Sequence, residues 1–385
     1  MNKNLINIIF FILLFFIFNN LIYARTLNFA LNQGEKLLKI YLWENFMYIL
    51  STNSNYIILK KFDNNNLNQI SSIWLDGQIV DLNFVESGDN LFIYALANYE
   101  NIFKLIVFNH NLQVVREINL IGSLNNNFVI SVYSKEQDKF ILIFKTLNRL
   151  KLLSLNVNNY NLIDVDIGIS SKEKFIKLFS DNFYNLLVNY DEIGGFYKIY
   201  LLNSNLSLIY QNSLDNYFLF FDITKSGSVY YLCGKNFNGY FYLAKFNVNN
   251  LNLSYYLKDN LKIDNQVRCK YIEGDLNELI IFYIKDNKFY IKNLRDSLDI
   301  SFNFNNSDIR EIKNTEPEVF NGNINLIFSN LVRSLYVKVN IFGVNNPTII
   351  NFSDYEYIDN YFDYLDDKIM ILFEKNSRGL IYSEF

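Results

Sequence analysis

Short apolar runs alternate with polar breaks containing Asn, Asp and Gly along almost the whole chain after about residue 26. One phrase recurs. YFYLAKFNVNNLNLSYYL at residues 240–257 is echoed by IFKLIVFNHNLQV at 102–114 and FYKIYLLNSNLSL at 196–208. Aligned on the last apolar residue before the Asn-rich break, the copies fall at Phe62, Phe108, Leu155, Leu202, Phe246, Leu294, Val339 and Phe385. A second ladder marks the start of the preceding run, at Phe46, Leu91, Phe140, Phe183, Val229, Leu279, Ile324 and Ile369. Each ladder covers 323 residues in seven steps, a mean period of 46. Two markers that stay in phase over this distance define an internal repeat.

Each repeat carries four strand signals, seen in the second as QIVDLNFVES, NLFIYALANY, FKLIVFNHN and LQVVREINL. Breaks such as SGD, YEN and NHN supply residues that tolerate turn conformations. Four short strands with tight turns make an antiparallel meander, and a four-stranded unit of about 40–50 residues resembles a β-propeller blade. Runs such as ILIF and IIFY are continuously apolar rather than alternating, which suits a sheet covered on both faces. Eight units predict an all-β, eight-bladed propeller of four-stranded antiparallel blades, with a seven-bladed ring as the alternative. The eighth unit stops after its third strand, at Phe385. The segment TLNFALN, residues 26–32, is expected to supply the missing strand, closing the ring and removing a sheet edge. An outer-membrane barrel would alternate apolar and polar positions, and nothing in it demands a four-strand period. A β-helix would show much shorter coils.

The first residues read differently. MNKN is followed by an apolar stretch from Leu5 to Phe18 interrupted only by Asn7, then LIYA and Arg25. This is a leader pattern with cleavage expected between Ala24 and Arg25. The alternative is an uncleaved anchor, although the longest unbroken apolar run is short of the ~20 residues of a spanning helix. The expected organisation is a signal peptide at 1–24 and one propeller domain at 25–385. The product is expected outside the cytoplasm, periplasmic or otherwise, with no stable membrane span after cleavage. The formal charge of −4, spread without a basic stripe, argues against nucleic acid. Cys233 and Cys269 are too few for a disulfide framework. They read as two buried free thiols on neighbouring strands, with pairing in an oxidising compartment as the alternative. The 36 Phe and 29 Tyr suit strands, and share AT-rich codons with the abundant Ile, Asn and Lys.

Candidate chemistry is thin. The single histidine, His110, sits in the break between a third and a fourth strand, without the partners a triad or metal site needs. No Gly-rich phosphate loop or G-x-S-x-G elbow occurs. Acidic residues recur at the first-to-second-strand break: Glu44, Asp89, Asp138, Asp181, Asp275 and Asp366. Units five and seven carry KSGS and NGN there instead, so the shared property is turn formation rather than a carboxylate ring. The repeated Gly-His…Trp-Asp, kelch double-Gly and Trp-docking signatures are missing, with Trp43 and Trp74 the only tryptophans. By blade number and export the chain is similar to the scaffold propeller of the bacterial outer-membrane barrel assembly machinery, though no lipobox Cys is present. The missing catalytic constellations and the intact repeat point to a non-catalytic protein-interaction scaffold or receptor of the cell envelope. The expected partner is another envelope protein, with the chain one monomeric subunit of a larger assembly. No cofactor or metal is expected. A carbohydrate-active enzyme or a sugar-binding propeller is the alternative. Binding groups sit on loops held by a rigid scaffold. The second-to-third-strand loops at 189–196, 234–240 and 374–379 should share one face with the loops that join blades, of which 303–318 is the longest. The candidate partner-binding residues are therefore Asp191, Glu192, Phe237, Arg310 and Arg378.

Overall fold

The computed structural model describes residues 24–384 apart from short segments, the longest being 120–128, 304–317 and 341–347. Among the described residues, 32 strands form eight separate four-stranded antiparallel sheets. Seven sheets each take four consecutive strands. Blade 1 comprises Lys36–Trp43, Phe46–Thr52, Tyr56–Asp63 and Gln69–Asp76. Blade 4 comprises Glu173–Ser180, Tyr184–Asp191, Phe196–Asn203 and Leu208–Ser213. Blade 5 comprises Leu219–Ser226, Val229–Lys235, Tyr240–Asn247 and Asn252–Lys262. The eighth sheet is composite. Glu356–Asp363, Lys368–Lys375 and Arg378–Glu384 are completed by the N-terminal Ala24–Ala30, which pairs antiparallel with Arg378–Glu384. The chain is an eight-bladed β-propeller closed by three C-terminal strands and one N-terminal strand.

Eight hydrophobic clusters hold the ring, one between each pair of neighbouring blades. The second strand of blade 6, Glu278–Lys285, shows why its sequence is continuously apolar. Leu279, Ile281 and Tyr283 pack toward blade 5, whereas Ile280, Phe282 and Ile284 pack toward blade 7. Alternate side chains serve opposite interfaces, so neither face can be polar. Burying each such side chain contributes about 1.5–3 kcal/mol. The outer strands have no blade beyond them. Gln69–Asp76 and Leu208–Ser213 are accordingly half-buried at best.

The recurring Asn is the turn itself. Asn109 Oδ1 accepts from the N–H groups of Asn111 and Gln113, both at 3.0 Å. Asn203 Oδ1 accepts likewise from Asn205 and Ser207, both at 2.9 Å. In the same turns Leu112 and Leu206 adopt φ of 62° and 61° while their side chains are buried. Apolar burial offsets the ~1–2 kcal/mol of a left-handed non-glycine backbone. The closing strand has its own lock. Phe29 stands opposite Gly379 in register, and its ring fills the space where a Cβ at 379 would sit.

Three expectations need correction. Cys233 and Cys269 are not free: they form a disulfide, with Cα atoms 6.5 Å apart. The first lies on the second strand of blade 5, the second on the first strand of blade 6, Val267–Ile272. Stacking of two blade faces brings residues 36 apart in sequence within bridging range. Phe183 does not start its strand. Asp181 Oδ1 accepts from both Phe183 and Tyr184 N–H groups, at 2.8 and 2.9 Å, which extends the turn and leaves Phe183 69% exposed. The closing strand starts and ends two residues earlier than the 26–32 segment. Asn32 instead donates its backbone and side-chain N–H groups to Glu35 Oε2, at 2.9 and 2.7 Å. Residues 1–23 of the expected leader lie outside the described residues, as do Asp89, Asp275, Asp366 and the ladder end at Phe385; Ala24, its expected last residue, begins the closing strand.

Candidate functional site

Among the described residues, inter-blade contacts engage several of the buried polar side chains that could otherwise form a site. Asp222, on the first strand of blade 5, accepts from Lys177 of blade 4 at 2.5 Å and from the Cys269 N–H of blade 6 at 3.1 Å. Asp359, on the first strand of blade 8, accepts from the Ile40 N–H of blade 1 at 2.9 Å. Burial pushes its carboxyl up to about 6, against the opposing pull of that N–H and of Lys39. Lys39 reaches into blade 2, donating to Leu82 O at 2.6 Å and Asn83 Oδ1 at 3.2 Å. Asp181 forms its own turn and accepts from Lys225 and Tyr230 of blade 5. Burial pushes the Asp181 carboxyl up, but those two donors and the turn N–H groups bring it below its ordinary value. His110 contributes its carbonyl, which accepts from Tyr48 at 2.8 Å and Lys61 at 3.0 Å across the blade 1–2 interface. Among the described residues no three His, Cys, Asp or Glu side chains are grouped to hold a metal ion.

The second-to-third-strand loops and the blade-joining loops do share one face. Glu192 donates its N–H to Lys172 O in the blade 3–4 link at 3.2 Å, and Ile263 in the blade 5–6 link donates to Gly239 O at 2.7 Å. On this face three apolar side chains stand out in solvent: Ile193 at 70%, Tyr217 at 65% and Phe237 at 62% exposure. The Tyr217 ring, from the blade 4–5 link, meets the Phe237 ring of the blade 5 hairpin edge-on, with centroids 5.9 Å apart and planes at 75°. They flank a cleft of about 320 Å³ that also involves Asp215, Asn236, Asn238, Tyr242 and Leu257.

The cleft is built on held backbone. Asp215 Oδ1 accepts from the Tyr217 N–H at 2.9 Å, and Oδ2 from the Tyr242 hydroxyl at 2.7 Å. Burial, and then Asp215, push the Tyr242 phenol above its ordinary value. The Asp215 N–H donates to Tyr255 Oη at 2.9 Å. Across the cleft, Asn236 Oδ1 accepts from the Tyr240 N–H at 2.9 Å, and Gly239 donates its N–H to Asn236 O at 2.9 Å. Gly239 has φ +85°, a conformation that suits glycine.

Of the candidates from sequence, Phe237 is in the cleft. Asp191 belongs to its hairpin: Oδ1 accepts from Ile193 and Gly194 N–H groups at 3.0 Å, and Oδ2 pairs with Lys198 at 2.8 Å. Lys198 foremost, then the Gly194 N–H, hold the Asp191 carboxyl down to about 2. Glu192 is exposed beside Ile193. Arg378 is exposed at the start of the last strand in blade 8, three blades from the cleft. Arg310 lies outside the described residues. Tyr217, Asp215, Asn236 and Asn238 were not singled out from sequence, although the blade-joining loops were placed on this face. The usable signal was an aromatic in LDNYF, just before a first strand.

No family model matches the sequence, and no curated protein matches it. Solved structures do. A Dos1 propeller is similar over 92% of this chain and 93% of its own, with a TM-score of 0.57 and 12% identity. The dihydro-heme d1 dehydrogenase NirN, in complex with DHE, is similar over 80% of this chain and 64% of its own, with a TM-score of 0.54 and 10% identity. The likeness is one of fold. At these identities it carries the propeller architecture and nothing about chemistry.

Proposed function

We propose that this chain is a non-catalytic recognition propeller working outside the cytoplasm, which binds a component of the cell envelope through the face carrying the Tyr217–Phe237 cleft. The observation that carries the reading is that Ile193, Tyr217 and Phe237, each more than 60% exposed, lie on one face of two adjacent blades, the last two grouped in ring contact. Among the described residues only Phe183, on the opposite face, is an apolar side chain exposed to this degree. Grouped exposed apolar side chains mark interaction sites, whereas scattered ones do not. The disulfide supports an oxidising compartment, in keeping with the N-terminal leader pattern. No helix among the described residues is long and apolar enough to cross a membrane.

The test is crosslinking and affinity capture from native envelopes, with the wild-type chain and an Ile193→Ala/Tyr217→Ala/Phe237→Ala variant. Selective loss of a captured component from the variant is expected. Identical captures by both would overturn the assignment of the face. Substrate turnover by the purified wild-type chain in a broad hydrolase and lyase screen would overturn the non-catalytic reading.

A further inference from the structure

We infer that the Tyr217–Phe237 cleft binds a neutral saccharide, an inference that rests on the recognition-face reading above and names its ligand. Four observations converge. The first is the pair of largely exposed aromatic rings set at 75°. A pyranose presents a patch of C–H groups on one face, which suits the electron-rich face of an aromatic ring. The second is the polar lining. Asn236 and Asn238 side-chain N–H groups make no hydrogen bond within the described protein, and Asp215 is an oriented carboxylate. Amide donors and a carboxylate acceptor complement the hydroxyls of a sugar, which both donate and accept.

The third observation is that much of the backbone of the two loops is already paired. Tyr217 N–H, Phe218 N–H and Asp215 N–H on one wall all donate within the protein, as do Gly239 N–H and Tyr240 N–H on the other. A peptide adding as a strand needs a run of unpaired backbone groups, which neither of these two loops offers, so recognition by the loops falls to their side chains. The fourth is size and charge. A cleft of about 320 Å³ is at the small-molecule scale. Its one charged lining residue is Asp215, which disfavours anionic ligands. Holding the rings on a hydrogen-bonded hairpin and a short link lowers the ordering cost of binding.

The experiment uses the purified chain with its disulfide intact. The probes are methyl pyranosides of glucose, galactose, mannose and N-acetylglucosamine and their short neutral oligomers, followed by saturation-transfer NMR and calorimetry. At least one series should receive saturation at its ring C–H protons. Phe237→Ala and Tyr217→Ala should each weaken that binding on the order of tenfold, Asn238→Ala should weaken it less, and Phe237→Trp should retain it. Because both rings are more than 60% exposed, these variants should keep the wild-type unfolding midpoint. Silence across the whole panel, or an affinity unchanged by Phe237→Ala, overturns the inference. Peptide-array binding that Phe237→Ala abolishes, with no sugar binding, also overturns it. Envelope capture separates the two levels: silence toward sugars with capture still lost in Phe237→Ala removes the saccharide alone, whereas capture indifferent to Phe237 removes the face as well.

Discussion

Breaking the Cys233–Cys269 bond is expected to lower stability by about 4 kcal/mol while leaving the native fold in place. The bond closes a span of 36 residues containing the outer half of blade 5 and the link to blade 6. For that span, loop closure removes about 13 cal/mol/K of unfolded-chain entropy, or about 4 kcal/mol at 25 °C. Both cysteines are buried among Phe241, Leu243, Leu261 and Ile263, so the reduced chain can still pack blade 5 on blade 6. Because the bond is buried, reduction is best done on the unfolded chain, followed by refolding under reductant and a thiol count by mass spectrometry. Urea unfolding followed by circular dichroism then compares the two forms. With a urea dependence of about 4 kcal/mol/M for a chain of this size, the midpoint should fall by about 1 M. Cys233→Ser/Cys269→Ser should resemble the reduced wild type and respond little to reductant. Coincident midpoints for forms with verified thiol content would refute the entropic argument. Two free thiols in the untreated native protein would refute the bond itself.

Three other perturbations test contacts between and within blades. The folded Asp359 carboxyl, at about 6, lies above its ordinary ~3.9, so ionising it costs stability. That cost is absent below about pH 4, grows as pH rises through 6, and levels off near 3 kcal/mol. Asp359→Asn should therefore gain on wild type between pH 4.5 and 7.5; a difference in unfolding midpoint that is flat with pH sinks the idea. Lys60 and Glu35 pair at 2.5 Å with both side chains buried, so Lys60→Met should cost about 3–5 kcal/mol by stranding the carboxylate. Lys60→Met/Glu35→Gln should recover much of that loss in the same unfolding assay; equal losses would remove the argument. A Cβ at Gly234 would lie 2.2 Å from Leu219 O, forcing two paired strands apart. Gly234→Ala should cost about 2–3 kcal/mol, and an unshifted melting temperature would contradict this.

Much of the architecture was legible because it is written in local, periodic terms. The phrase ending at Asn109, Asn203 or Asn247 specifies a strand and the turn that stops it, since the Asn side chain closes that turn from within a few residues. Apolar runs such as residues 279–284 report burial on two faces without naming the partners. The incomplete last unit showed where the N-terminal strand had to go, and Phe29 opposite Gly379 is that closure. Boundaries slipped where a side chain competed for the backbone, as Asp181 does ahead of Phe183.

What belonged to tertiary structure alone are the meetings between blades. Neighbouring copies are about 46 residues apart, and nothing local marks which side chain of one copy faces which of the next. Cys233 reaching Cys269, Lys177 reaching Asp222 and Asp359 reaching Ile40 are all contacts of that kind. The cleft is another: Tyr217 and Phe237 belong to different structural units, a link and a hairpin, and the bonds of Asp215 to Tyr242 and Tyr255 hold the link against blade 5, where the two rings meet edge to face. The amino-acid sequence by itself determined the strands, their turns, their number and the closure of the ring, because those follow from short-range hydrogen bonding and the period of apolar positions. The disulfide and the Tyr217–Phe237 cleft were decided by tertiary packing, which places residues together by geometry rather than by proximity in the chain.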